Sequence, residues 1–396
     1  MLTISKSLSA GQARRYHADE FQNARENYYS EGELIRGAWH GQLASQWGLG
    51  GEVREEHFQR LAEGQHPITG EQLVRHQTAR ETKNASGHAV TTMEHRAGWD
   101  GTFSAPKSVS ITALVGRDDR VREAHRESVR VALNELELYV QARLGGNRRP
   151  ETTGNFVAAL FEHDSARPVN GYAAPQLHTH AVVFNLTETA DGTVRPIQPR
   201  EVYRTQQYAT AVYRSELAAR LTVLGYDVER GRSSQPEIAG YSREYLDASS
   251  PRRQQIEAYL AEAERAGAAA AQIAAHQTRE AKLDVSHDEM QHRHQELAKE
   301  FGNQPRGLLK PSNRAARGSW GTSSDSPTSR IGPSRSHAIA IWNVKRSSRN
   351  ARFFATPYSG HSARRASTPS NGSSAGASKR GNSLSSSRSQ AYPGGR

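Results

Sequence analysis

Three histidines stand at the ends of two apolar segments of the chain. His178 and His180 open the run HTHAVVF, and His163 closes the run TGNFVAALFEH. Residues two apart on a β-strand face the same side, so His178 and His180 should project together. If the two runs are neighbouring strands joined by the polar segment 164–176, all three imidazoles converge at one strand end. Three neutral nitrogens bind a divalent ion and leave coordination positions open for a substrate.

The histidine pattern also has a structural interpretation. A His-x-His pair is common by chance, and the first 304 residues contain 15 histidines. The pair alone favours a structural role. The third histidine, at the end of the preceding run, makes the metal-site interpretation as strong as the structural one.

The composition limits the classes of site and the compartment. The chain of 396 residues has no cysteine, which excludes disulfides and thiolate metal ligands. No apolar run approaches the roughly 18 residues of a membrane span. The N-terminal sequence lacks the basic and then apolar order of a secretory signal. We therefore expect a cytoplasmic protein without membrane insertion.

The basic charge is confined to the C-terminal region. Of 52 Lys and Arg residues, 16 follow residue 304, where Asp325 is the single acidic residue, so this region carries +15 and the preceding 304 residues carry −4. Affinity of the folded part for DNA must therefore come from local patches of charge and not from its total.

The first 250 residues carry signals of both helices and strands. Ser9 and Gln12 have the spacing of a capping box that opens a helix carrying Tyr16. The β-branched run KSVSITALV, residues 107–115, predicts a strand. Apolar residues spaced three or four apart predict a helix from about Val129 to Leu144, ended by two glycines, and another from about Val202 to Gly225, followed by a strand.

The chain divides into three predicted parts. Residues 1–250 form an α/β core, and residues 251–304 form a helical lobe with a weak point at Gly267. Residues 305–396 are rich in Ser, Arg, Gly and Pro, and we predict a disordered basic tail. Neither an internal repeat nor the glycine-rich phosphate loop of nucleotide-driven motors occurs.

Four segments in a fixed order resemble one family. An N-terminal tyrosine set is followed by GWDGTFSAPKSVS, ETTGNFVAALFEH and PQLHTHAV. This order resembles the TrwC/TraI-type (MobF) conjugative relaxases of the His-hydrophobe-His endonuclease superfamily, over about residues 1–300. The resemblance implies an α/β (α+β) fold, in which helices flank an antiparallel sheet called the relaxase palm.

The resemblance also implies roles for seven residues. The implied metal ligands are His163, His178 and His180. The implied first nucleophile is Tyr16, and the implied second nucleophile pair is Tyr28 and Tyr29. Asp100 is implied to be the acidic residue that orients a metal histidine and assists the tyrosine. Relatives often have two adjacent tyrosines at the first position, whereas His17 follows Tyr16 here.

The activity implied is conjugative nicking of single-stranded DNA at an origin of transfer. A tyrosine would attack the DNA with the help of Mg²⁺ or Mn²⁺, or alternatively Zn²⁺, and the resulting 5′-phosphotyrosyl linkage would permit strand transfer. Implied partners are a hairpin beside the cleaved strand, relaxosome accessory proteins and the coupling protein of a type IV secretion system, through which the protein would leave the donor cell with the DNA. Two alternatives are a rolling-circle replication initiator and a truncated remnant that only binds the origin; the helicase usual in the family is not evident.

Several basic and aromatic residues are candidate DNA contacts. A solvated surface charge is the alternative for each basic residue, and core packing is the alternative for each tryptophan, which could otherwise stack on bases. The candidates are Lys107, Arg148, Arg149, Arg252 and Arg253, with Trp39, Trp47 and Trp99.

Overall fold

The computed structural model describes residues 1–14, 37–74, 77–83, 89–263, 267–278, 280 and 286–310. Tyr16, Tyr28 and Tyr29 lie outside these residues, and so does the predicted tail from residue 311. The described residues belong to one compact unit, Met1–Arg346.

The strands follow one another along the chain with helices between them. In chain order the strands are β1 (Leu2–Ile4), β2 (Leu8–Ser9), β3 (Ala38–His40), β4 (Gln77–Lys83), β5 (Ala89–Ser104), β6 (Gln141–Ala142), β7 (Glu151–Thr152), β8 (Ala158–Ser165), β9 (Pro175–Phe184), β10 (Thr187–Glu188), β11 (Val194–Arg195), β12 (Val228–Arg230) and β13 (Pro236–Ile238). The helices are α1 (described over residues 10–14), α2 (Gln42–Gln46), α3 (Glu55–Ala62), α4 (Lys107–Leu114), α5 (Asp119–Glu137), α6 (Pro199–Arg204), α7 (Gln206–Val223), α8 (Arg243–Ala248), α9 (Pro251–Glu262), α10 (Ala268–Gln277), α11 (His287–Glu300) and α12 (Gln304–Leu308).

An antiparallel sheet organises the core. Among the described residues it has seven strands in the order β1-β5-β9-β8-β3, and β2 and β4 also pair with β5. Strands β8 and β9, which carry the three histidines, pair with each other in the antiparallel direction. The expected antiparallel sheet with flanking helices is therefore confirmed.

Each face of the sheet carries its own apolar cluster, because successive side chains of a strand point to opposite faces. The first face buries Trp99, Phe103 and Val183 against α4, α5 and α7. The second face buries Val182 and Phe184 against α1, α2 and α3. Each large side chain buried in this way stabilises the fold by about 1.5–3 kcal/mol.

The run KSVSITALV is a helix and not the predicted strand. It forms α4, and each residue from Ser108 to Leu114 is buried. The β-branched residues therefore reflect burial on all sides of a helix, where tertiary packing overrides propensity. Thr112 Oγ1 donates within the helix, to the carbonyl of Ser108 at 2.8 Å, whereas Ser108 Oγ donates to the Glu237 carboxylate. The preceding residue, Pro106, has an extended ψ of 160° at the N-cap, and the helix begins directly after it.

The other predicted helices exist with different ends. α5 begins with Asp118 as its N-cap and ends at Glu137, before the two glycines predicted to stop it. At this end the buried Glu137 carboxylate accepts the backbone N–H groups of Gln42 in α2 and of Phe156, two residues before β8. The second predicted helix is divided at Thr205 into α6 and α7.

The C-terminal lobe is helical, as predicted, and α10 begins just after Gly267. The predicted start of the tail, residue 305, falls within α12, where Leu308 packs against Gly240 and Leu309 against Gly116. Residues 305–310 thus belong to the packed part of the chain, because apolar side chains cover these glycines. None of the described helices is long and apolar enough to cross a membrane.

Candidate metal centre and active site

The register of β8 and β9 brings the three histidines together. His163 lies directly opposite His178, and Phe161 lies opposite His180. The ring centroids are 5.0 Å apart for His163 with either of the other two, and 5.1 Å apart for His178 with His180. One nitrogen from each ring lies within 4.8 Å of the other two. The predicted convergence of the three imidazoles is confirmed.

Hydrogen bonds set the orientation of two of these rings. Nδ1 of His178 lies 2.9 Å from the carbonyl oxygen of Gln176, and Nδ1 of His180 lies 2.8 Å from Oδ2 of Asp100. Because both oxygens can only accept, Nδ1 carries the proton in each ring and donates it. Nε2 of each neutral ring is then left with its lone pair, which is the arrangement of metal-binding histidines.

Electrostatics keep His178 neutral. Burial holds the pKa of His178 well below its usual value, and the neighbouring rings of His180 and His163 lower it further. A neutral imidazole is the form that binds a metal ion. The His178 ring is therefore in its ligating form at neutral pH.

Asp100 joins the site from the neighbouring strand. It lies on β5 opposite Val182, on the face that carries the histidines, and its side chain is 14% exposed. Its backbone N–H donates to Oγ of Ser5, the residue after β1, at 3.0 Å. While Oδ2 accepts from His180, Oδ1 is buried and has no hydrogen-bond partner among the described residues. This second oxygen can accept a proton.

Helix α1 is fixed on the same face of the sheet. The backbone N–H of Ser9 donates to Gln12 Oε1 at 3.0 Å, and that of Gln12 donates to Ser9 Oγ at 3.2 Å. The predicted capping box is thus present. One turn later Ala13 is fully buried in the cluster of the second face. Tyr16 follows just beyond the described part of this helix.

The basic candidates for DNA contact differ in their surroundings. Lys107 is half-buried and donates to the carbonyl of Pro175 at 2.7 Å, and burial lowers its pKa to about 7. Arg252 donates to backbone carbonyls of α10 and the residue after it, so it joins two helices. Arg253 is exposed and pairs with Glu257. Arg148 and Arg149, in the loop between β6 and β7, are exposed.

The tryptophans are part of the packed structure. Trp99 is 1% exposed and belongs to the core of the first face. Trp39 and Trp47 are half-buried; their ring centroids lie 6.3 Å from that of Phe184 and 5.2 Å from that of His66. Trp99 is therefore a core residue, which is the alternative to base stacking. Packing in the fold also covers much of the surface of Trp39 and Trp47.

Sequence reasoning missed residues that surround the histidines. Thr102 lies opposite His180 on β5, and its Oγ1 is 3.3 Å from Nδ1 of that ring. Gln176 supplies the carbonyl that orients His178. The signal for Thr102 was present, because it stands two residues after Asp100 and shares its face. The role of Gln176 depends on backbone geometry, which no residue type indicates.

Comparisons with known proteins identify the family of this chain. A family model described as TrwC relaxase matches residues 10–301. The multifunctional conjugation protein TraI of Escherichia coli is 33% identical over 351 residues, which is 86% of this chain but 18% of TraI. The chain thus spans about a fifth of the length of the curated relatives it matches.

Solved structures of the conjugative relaxase TrwC in complex with oriT DNA are also similar. The metal-bound structure has a TM-score of 0.62 and 32% identity, over 76% of this chain and 99% of that chain. The copper-bound structure has a TM-score of 0.63 and 31% identity over the same shares. A third, of TrwC with a 27-mer DNA comprising the recognition hairpin and the cleavage site, has a TM-score of 0.61 and 31% identity. Because the family model matches residues 10–301 and relatives are 33% identical over most of the chain, the chain belongs to the TrwC relaxase family.

Proposed function

We propose that this protein is a conjugative relaxase that cuts one strand of DNA at an origin of transfer and can rejoin it. The observation that carries this proposal is the cluster of His163, His178 and His180, hydrogen-bonded to Asp100. The cluster lies on a fold whose solved relatives are relaxases in complex with oriT DNA.

The three histidines would hold a divalent ion. Their donor atoms lie close enough together to share one ion. Because Nδ1 donates in both His178 and His180, Nε2 is the nitrogen of each ring that would bind the ion. When bound, the ion would draw charge from a non-bridging oxygen of the scissile phosphate. Imidazole donors suit Zn²⁺ and later transition ions better than Mg²⁺, which prefers oxygen. Experiments should therefore compare Mg²⁺, Mn²⁺ and Zn²⁺.

Tyr16 would be the first nucleophile. A tyrosine hydroxyl has a pKa of about 10, so it must lose its proton as it attacks. Oδ1 of Asp100, which has no hydrogen-bond partner among the described residues, is the acceptor that the site offers for this proton. The tyrosine oxygen forms a bond to phosphorus while the bond from phosphorus to the 3′ oxygen breaks. That oxygen takes up a proton and leaves as a 3′-hydroxyl, and the 5′-phosphate stays on the tyrosine.

The covalent linkage makes the reaction suited to strand transfer. The phosphotyrosyl bond keeps the energy of the phosphodiester, so a 3′-hydroxyl can reverse the step. Tyr28 or Tyr29 would attack in a second transfer while Tyr16 is still occupied. The complete set of histidines with Asp100 supports an enzyme over a remnant that only binds DNA.

The DNA substrate would be single-stranded at the cut and double-stranded in an adjacent hairpin. Arg148 and Arg149 are the exposed candidates for phosphate contacts in the β6–β7 loop. In the cytoplasm of a donor cell, the partners would be relaxosome accessory proteins and the coupling protein of a type IV secretion system.

Covalent capture tests the proposal. A library of single-stranded oligonucleotides, each with a hairpin beside a randomised segment, is incubated with the protein and Mg²⁺, Mn²⁺ or Zn²⁺. Denatured protein with attached DNA is then isolated and sequenced. We expect adducts that share one nick sequence, depend on the ion and disappear with Tyr16→Phe. If no ion gives an adduct, or if adducts form equally with a chelator present, the proposal is wrong.

A further inference from the structure

The segment that joins the two strands carrying His163, His178 and His180 contains a tight hairpin turn. Val169 and Tyr172 exchange backbone hydrogen bonds of 2.9 and 3.1 Å across the turn between β8 and β9. Asn170 and Gly171, the two residues between them, have φ angles of 50° and 75°. Positive φ at both central residues defines the type I′ turn, for which Asn-Gly is a preferred sequence. The three histidines thus lie on the two arms of one short hairpin.

Helix α11 of the C-terminal lobe holds this turn. Arg293 donates to the carbonyl of Gly171 at 2.8 Å. Nε2 of His294 donates to the carbonyl of Ala173 at 2.8 Å, and its ring meets that of Tyr172 edge-on, with centroids 5.7 Å apart. His294 is only 4% exposed, so its hydrogen bond is shielded from water. Two neighbouring side chains of one helix therefore hold the backbone of the turn.

The C-terminal half of α11 is fixed on α4. Ala298 is fully buried with Ile111 and Val115 of the α4 region, and Gln295 Nε2 donates to the carbonyl of Val115 at 2.8 Å. Helix α4 follows directly after β5, which carries Asp100. Helix α11 thus connects the segment after β5 to the turn between β8 and β9, and these three strands carry every group of the site.

A short backbone segment links the turn to the ring of His178. Two residues after Ala173, the carbonyl of Pro175 accepts from Lys107. At the next residue, Gln176, the side chain donates to Ala105, while its carbonyl accepts from His178 Nδ1. The backbone that α11 holds at Ala173 therefore leads, three residues later, to the carbonyl that orients a candidate ligand.

From these contacts we infer that α11 positions the ion site, with His294 as the positioning residue, and that docking of α11 on the turn and ion binding strengthen each other. Such coupling is reciprocal by thermodynamic necessity. The inference rests on the proposed function, because it assumes that the three histidines bind an ion.

Two substitutions separate the hydrogen bond of His294 from its bulk. His294→Leu removes the donor and keeps an apolar side chain, whereas His294→Gln can place an amide N–H near the position of Nε2. His292→Leu on the same helix is the matched control, since its side chain is 70% exposed. In the full chain, Mn²⁺ and Zn²⁺ affinities are measured by competition with a chelator, and hydrogen exchange of residues 286–300 is followed with and without ion.

His294→Leu should weaken ion binding by about threefold to tenfold, the effect of one lost net hydrogen bond. His294→Gln and His292→Leu should stay within about twofold of the wild type. Added ion should slow exchange in α11 of the wild type and less so in His294→Leu. Equal affinities for His294→Leu and the wild type, with no effect of ion on exchange, would overturn this inference alone. Absence of ion binding by the wild type would overturn the proposed function as well.

Discussion

Replacing Asp100 should weaken the ion site without unfolding the protein. Oδ2 of Asp100 accepts from Nδ1 of His180 at 2.8 Å, and the Asp100 side chain is 14% exposed. A hydrogen bond to a charged group contributes about 1.5–3 kcal/mol, and losing such a partner of a metal ligand typically costs about 10- to 100-fold in affinity. We expect a loss in that range for Asp100→Ala. Asp100→Asn should lose less, because its amide oxygen can still accept from His180.

The control for this prediction lies on the same strand. Thr102 Oγ1 is 3.3 Å from the same nitrogen of His180, a longer contact with a neutral group. Thr102→Val keeps the shape of the side chain and should change ion affinity by no more than about twofold. Ion affinity is measured by chelator competition, and thermal unfolding shows that each variant is folded. A folded Asp100→Ala variant with the ion affinity of the wild type would refute the orienting role of Asp100.

Three further predictions concern the histidines, the tail and a buried carboxyl. His178→Ala with His180→Ala should abolish ion-dependent cleavage of labelled oligonucleotides while circular dichroism stays unchanged. Ending the chain after Lys310 removes a net charge of +13; it should preserve cleavage and flatten the salt dependence of non-specific DNA binding. Burial raises the pKa of Glu137 from 4.5 to about 7, so the unfolding free energy should fall by up to about 3 kcal/mol as pH rises through this interval. Glu137→Gln should remove that fall in denaturant titrations at pH values on either side of it.

The histidine site could be predicted because it depends on local periodicity. The two-residue period of a strand places His178 and His180 on one face, and a hairpin between two apolar runs brings His163 beside them. These features need only the sequence near the site. The antiparallel sheet follows from the same short connection, since adjacent strands joined by a tight turn must run in opposite directions.

Other features depend on contacts that the sequence does not show. Helix α4 has the β-branched composition of a strand, but burial on all sides stabilises it as a helix. Lys107 has the character of a phosphate contact, yet the fold directs its ammonium to the carbonyl of Pro175. The contact of His294 with Ala173 joins residues 121 apart in sequence, so no local pattern could indicate it. The roles of Tyr16, Tyr28 and Tyr29 stay predictions from the resemblance.

The most direct test is to identify the residue that becomes linked to DNA. The protein is allowed to react with its oligonucleotide and ion, the adduct is digested with a protease, and the peptide carrying the nucleotide is sequenced by tandem mass spectrometry. The described start of α1, residues 10–14, is fixed by its capping box and by Ala13, and Tyr16 follows two residues later in the sequence. A pre-positioned nucleophile reacts faster. We therefore predict that the first cut attaches DNA to Tyr16. An adduct on Tyr28 or Tyr29 and never on Tyr16 would contradict the order of the nucleophiles, and an adduct on none of the three would contradict the tyrosine mechanism itself.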